Sequence, residues 1–152
     1  MTPVRGVLAA ALLTVAVAGC SDDGDTADLA AAPDGGSQAC AGVVDRAPAK
    51  VLDRERATPQ PVGMAAWGDP PIVLQCGVTL DEGPTSDPCL AIEGVDWLLD
   101  NPGDEDRPAA FVTYGRSPGV RVTVPGDRQE ATGALVDLAG AVSPLPVAKR
   151  CS

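Results

Sequence analysis

Cys20 is the residue of this chain from which one particular chemistry is expected. It closes Val17-Ala18-Gly19-Cys20, directly after an uncharged run rich in Ala, Leu and Val. A thiol is the nucleophile that accepts a diacylglycerol group. Small neighbours let a peptidase hold the chain extended at the bond to be cut. Arg5 supplies a minimal positive region ahead of the apolar run. Together these have the form of a secretory signal that ends in a lipobox. Residues 1–19 are therefore expected to be a signal peptide, with Cys20 lipidated after cleavage behind Gly19. The competing reading is an ordinary cleaved signal followed by a chance cysteine. The apolar run is too short to cross a bilayer, which takes about 20 residues. Two acyl chains anchor stably where one is marginal. The expected location is the cell membrane, with the chain held through lipid on the extracytoplasmic face.

The other four cysteines are Cys40, Cys76, Cys89 and Cys151. In an exported chain an even count points to two disulfides. Three pairings are open. The expected one is Cys40–Cys151, tying the domain's ends, with Cys76–Cys89 across a hairpin. A zinc site would use the same thiols, but there is no CxxC pair and no histidine. No metal or cofactor is expected.

Trp67 with Asp69 is the most suggestive pair for binding, since a ring and a carboxylate can stack on and hydrogen-bond a sugar. The structural alternative is a turn, because Asp-Pro-Pro is turn chemistry and Trp67 can pack beside it. Asp96 and Trp97 are consecutive and would face opposite sides of a strand. Arg116 and Arg121 are either exposed charges or partners of Asp69 or Asp96. Catalysis is not expected. The commonest general base is missing, and there is no Ser-x-x-Lys. Carboxylates are abundant, but a hydrolase needs two at a defined separation.

Without residues 1–19 the chain keeps 10 basic against 21 acidic side chains. Nucleic acid is excluded as a partner by that balance, since phosphates call for Lys and Arg. Lipid rather than charge must hold the protein to a membrane. Residues 21–36, SDDGDTADLAAAPDGG, carry five Asp and no base. Such a stretch buries too little apolar surface to fold alone. Residues 20–36 are expected to be the lipidated cysteine and a flexible acidic tether, spanning at most roughly 50–60 Å.

Residues 37–152 then form one small domain. Its aromatics are only Trp67, Trp97, Phe111 and Tyr114, so Val, Leu, Ile and Ala must make the core and cross-links are expected to help. Ser37 can cap a helix from Gln38, with Cys40, Val43, Val44 and Ala47 as its apolar stripe and Pro48 as its stop. Residues 50–56 extend the helical pattern. Residues 62–67 form a short extended piece before the turn Gly68-Asp69-Pro70-Pro71. Ile72, Leu74, Cys76, Val78 and Leu80 alternate as a strand does, and residues 90–99 read as the returning strand. A polar loop of residues 81–87 separates the two. Residues 110–114 and 120–124 form a second hairpin with one wet face. Asp127 and Glu130 resemble a capping box ahead of a last helix whose inner face is Leu135, Leu138, Ala139 and Val142. The expected fold is α+β: an antiparallel sheet of about four strands, with two helices on one face and two disulfides.

The stretch Ala66-Trp67-Gly68-Asp69-Pro70-Pro71-Ile72-Val73-Leu74-Gln75-Cys76-Gly77-Val78 resembles the core motif of domain-of-unknown-function family 3515. Gly94-Val95-Asp96-Trp97-Leu98 and Thr113-Tyr114-Gly115-Arg116 resemble its later blocks. The resemblance implies a small exported actinobacterial protein, often a lipoprotein, and supplies no activity. Family members typically carry a base before the cysteine of the first motif, where this chain has Gln75.

Location, tether and missing catalytic groups lead to one expectation: a binding module of the cell envelope that contacts a protein or glycan there. Its contact surface would draw on Trp67, Asp69, Gln75, Asp96, Trp97, Arg116 and Arg121. The alternative is a carboxylate-dependent domain that binds or hydrolyses wall sugars through Asp69 and a neighbour.

Overall fold

A computed structural model describes residues 30–80, 88–103 and 106–151. The leader, Cys20, the first part of the tether and the loop of residues 81–87 lie outside the described residues. Among the described residues two helices, α1 (Gln38–Arg46) and α2 (Arg128–Val142), accompany eight strands. The strands are β1 (Lys50–Val51), β2 (Arg54–Glu55), β3 (Met64–Trp67), β4 (Ile72–Val78), β5 (Cys89–Ile92), β6 (Val95–Leu99), β7 (Ala109–Thr113) and β8 (Gly119–Val124). The main sheet has six antiparallel strands in the order β3-β4-β8-β7-β6-β5, and β1-β2 is a separate hairpin.

The α+β class with two helices is as expected, but six strands replace about four. Residues 90–99 are not one strand. Ile92 pairs with Val95, so Glu93-Gly94 is a two-residue turn with both φ positive, at 47° and 77°. That geometry suits the right-handed twist of a hairpin. The run of residues 50–56 does not continue α1 either. Leu52 and Asp53, with φ of 48° and 61°, turn β1 back onto β2. The Leu52 N–H is fixed to Asp137 Oδ2 of α2 at 2.9 Å.

The helix starts follow their caps. Ser37 Oγ accepts from the Cys40 N–H at 3.3 Å, and Asp127 Oδ1 accepts from the Glu130 N–H at 2.8 Å. Glu130 does not close a capping box. It reaches Arg54, whose Nη2 lies 2.9 Å from its Oε1.

One sheet face carries the core. Ile72, Leu74 and Cys76 of β4, Val120, Val122 and Val124 of β8, Phe111 of β7, and Val95 and Trp97 of β6 are all buried there. They form one apolar cluster with Val43 of α1 and Ala131, Ala134, Leu135, Leu138 and Val142 of α2.

The disulfides are Cys40–Cys76 and Cys89–Cys151, with Cα–Cα separations of 5.4 Å and 6.1 Å. This corrects the expected Cys40–Cys151 and Cys76–Cys89. Strand order is the reason. Cys76 and Cys89 lie on β4 and β5, with β8, β7 and β6 between them. Four strand spacings are roughly 19 Å, well beyond what a disulfide bridges. Cys76 instead points to the core face, where Cys40 of α1 meets it.

Residues 32–36, read as the end of the tether, lie against the domain. Ala32 is buried, and the Asp34 N–H donates to the Gly77 carbonyl at 3.1 Å. Gly77 sits at a bulge in β4 with φ 92°, and a Cβ there would run into the Asp34–Gly35 backbone.

In the chain-entropy picture a loop of this size is worth about 4 kcal/mol. Replacing Cys40 and Cys76 together by Ala is therefore expected to lower unfolding free energy by about that amount, measured by denaturant titration. Non-reducing peptide mapping of the native chain should return Cys40–Cys76 and Cys89–Cys151.

Candidate functional site

Neither tryptophan offers a surface. Trp67 is 0% exposed, and its indole N–H donates to the Pro48 carbonyl at 2.9 Å. It cannot stack on a sugar in this arrangement. Trp97 is also 0% exposed, on the core face, and its Nε1 has no partner among the described residues. Asp69 is exposed at the β3–β4 turn. The expected Trp67–Asp69 pair is thus split between core and solvent.

Arg116 is 3% exposed. Its Nη1 donates to the carbonyls of Ser143 and Leu145 at 2.8 and 2.7 Å, and its Nη2 to that of Gly94 at 2.8 Å. Burial lowers its pKa from the ordinary arginine value, Arg150 lowers it further, and Asp96 opposes both. The guanidinium fork therefore joins the chain just past α2 to the β5–β6 turn. A planar group with several fixed donors suits three carbonyls where a lysine would not.

Asp96 is 6% exposed and accepts from the Cys151 N–H through Oδ2 at 3.0 Å. Around it the C-terminal residues form a strap. Ala148 N–H donates to the Gly115 carbonyl at 2.7 Å, and Arg150 Nη1 to that of Gly94 at 3.0 Å. Val147 bridges to Arg116 as an antiparallel residue pair. Gly115 has φ 64°, and any side chain there would strike the Lys149 carbonyl. Gly94, Asp96, Gly115 and Arg116 come from two separate sequence blocks, yet all four hold this one strap.

The second sheet face is formed by residues alternating with the core set. Register aligns Gln75 with Arg121 and Arg121 with Val112, then Val112 with Leu98. Val73 aligns with Thr123, and Thr123 with Ala110. Arg121 Nη2 pairs with Asp100 Oδ2 at 2.8 Å, with the two side chains 40% and 32% exposed. Gln75 Nε2 donates to the Ala30 carbonyl at 2.6 Å. Gln75 and Arg121 are therefore neighbours as expected. The Gln75 amide is thus used on backbone, whereas Arg121 keeps one buried nitrogen, Nε, without a partner among the described residues.

A cleft of ≈ 330 Å³ opens between α1, residues 57–63 and the chain entering α1. Ala41, Val44, Pro61, Val62 and Met64 line it with Arg56. The volume is near the lower limit for a small-molecule site. The Arg56 guanidinium is already committed to the Ala47 and Val44 carbonyls, at 3.1 and 3.0 Å. Among the described residues no group of three His, Cys, Asp or Glu is placed to hold a metal ion, and no helix is long and apolar enough to cross a membrane.

Fold and site together define a small α+β domain with two disulfides, in which the motif residues serve internal contacts. The chain belongs to the DUF3515 family, proteins of unknown function, whose model matches residues 2–149. Searches of curated proteins and of solved structures found no match.

Sequence reasoning missed the strap. Its one visible signal was Gly115-Arg116, a turn glycine next to a base too short of solvated neighbours to be read from spacing alone. Arg116→Ala would leave three carbonyls without their charged donor. It is expected to cost about 3 kcal/mol or more, read by chemical denaturation, with Arg116→Lys recovering only part of the loss.

Proposed function

We propose that the protein is a lipid-anchored module on the extracytoplasmic face of the cell membrane, and that it binds an envelope protein or glycan there. The observation that carries the anchor is Val17-Ala18-Gly19-Cys20 at the end of an apolar leader. The two disulfides support it, since such bonds persist in oxidising compartments. The binding role is supported by where the polar side chains go. Arg56, Arg116, Asp96 and Trp67 are used on the chain's own backbone. That is the pattern of a rigid scaffold rather than of poised acid–base chemistry.

The contact surface we favour is the second sheet face around Arg121, Thr123 and Leu98, all half-buried. It combines an aliphatic floor with one half-exposed ion pair. Interfaces of this kind draw affinity from apolar area and orientation from a few charges.

Cys20→Ser should give a product of unlipidated mass that is lost from the membrane fraction. Unchanged mass and unchanged retention would remove the anchor. For the binding role, a photo-crosslinking side chain at position 123 should trap a discrete envelope partner in intact cells. Thr123 is half-exposed beside Arg121, so recovery of the uncrosslinked monomer alone, at native abundance, would remove this surface as the contact.

A further inference from the structure

The two disulfides differ in access. Cys40 and Cys76 are both 0% exposed, inside the core between α1 and β4. Cys89 and Cys151 are only half-buried, at the start of an edge strand and the end of the strap. The strap is otherwise held by a small number of contacts. Its residues from Pro146 onward are exposed up to Arg150, and its contacts go to Gly94, Asp96, Gly115 and Ser117, with Val147 bridged to Arg116. The Arg116 side chain grips Ser143 and Leu145, just ahead of the strap. Burial thus ends at Leu145, and the exposed segment beyond is held by surface hydrogen bonds and by its terminal disulfide.

We propose that Cys89–Cys151 is a redox latch on this C-terminal strap: its reduction releases residues 146–151 while the domain stays folded. The step needs an external dithiol. One thiolate of that dithiol attacks a sulfur of Cys89–Cys151, and the other cysteine leaves as a thiolate. The second thiol of the reagent then displaces the remaining cysteine and closes its own disulfide. Two electrons pass to Cys89 and Cys151, and the dithiol's two protons end on their thiols. Cys40–Cys76 is left intact, because no thiolate reaches it without opening the core. Release uncovers the acceptors that the strap occupies, namely the Gly115 carbonyl and the Asp96 carboxylate. The latched and released forms therefore present different surfaces at that end of the molecule.

The test uses the full chain and dithiothreitol without denaturant, with thiols trapped by alkylation and mapped by mass spectrometry. Cys89 and Cys151 are expected to label about tenfold faster or more than Cys40 and Cys76. Hydrogen exchange in the partly reduced chain should show Ala148 and Cys151 losing protection while β4 and α1 keep theirs. Equal labelling of both pairs, or a reduced Cys89–Cys151 with its strap amides still protected, would overturn the proposal. The double variant Cys89→Ser, Cys151→Ser should fold and show the same loose strap. If it does not fold, the bond holds the whole domain and the latch is ruled out.

Discussion

The structure depends on giving donors to the last carbonyls of its two helices. A helix leaves its final C=O groups without internal partners, and a following glycine is the usual remedy. Neither helix has one. Ala47-Pro48 follows α1, and Ser143-Pro144 follows α2. A proline has no N–H to offer and halts the chain. Arginines take the place of the glycine. Arg56 serves Val44 and Ala47 at the end of α1. Arg46 serves Ala141, and Arg116 serves Ser143 and Leu145, at the end of α2. A cation there is also favoured by the helix dipole. Each arginine comes from a different element, so each cap is also a tertiary bolt. In a chain with 11 basic residues against 21 acidic ones, this use of arginine inside the domain leaves little basic surface for any polyanion.

Signals confined to a few neighbouring residues were legible in the sequence. Ser37 and Asp127 start the helices that their side chains suggest, and Gly68-Asp69-Pro70-Pro71 joins the strands on either side of it. The hairpin of β7 and β8 was legible from its alternating valines. Two turns were missed for a shared reason. Glu93-Gly94 and Leu52-Asp53 both need positive φ at two successive residues. Only Gly94 advertises that freedom, and Leu52 hides it, being held by Asp137 from another element. Pairing between distant strands has no local signature at all. The β4–β8 contact is such a case, and mistaking β4's neighbour is what misdirected the disulfide assignment.

Site residues were legible by type and not by direction. Trp67 and Trp97 look like ligand platforms in a list of side chains, yet both point into a core short of other aromatics. Burying such rings contributes more per residue than any aliphatic available here. Arg116 and Asp96 look like surface charges, but they carry the strap. Gln75 is instructive in the other direction. Its Nε2 donates to the Ala30 carbonyl. The requirement at that position, in this chain, is for a donor to backbone. An amide meets it without a charge.

Both ends of the described chain lie toward the second sheet face from opposite edges. Ala30 reaches Gln75 on β4, and Cys151 reaches Cys89 on β5. Between them β8 and β7 carry Arg121, Thr123 and Ala110, half-buried, beside the buried Val112. The Arg121–Asp100 pair at the centre is more than a third exposed on one side, and ion pairs of that kind add at most about 1 kcal/mol to stability. Its consequence is therefore better sought in association than in folding. The aliphatic members of this face, Val73, Leu98 and Ala110, are half-buried, and Val112 is buried. A charge of each sign set into the face makes a mismatched neighbour pay desolvation that a complementary one does not. In the binding role proposed above, the same pair that contributes little to holding the domain together would let this face discriminate between partners.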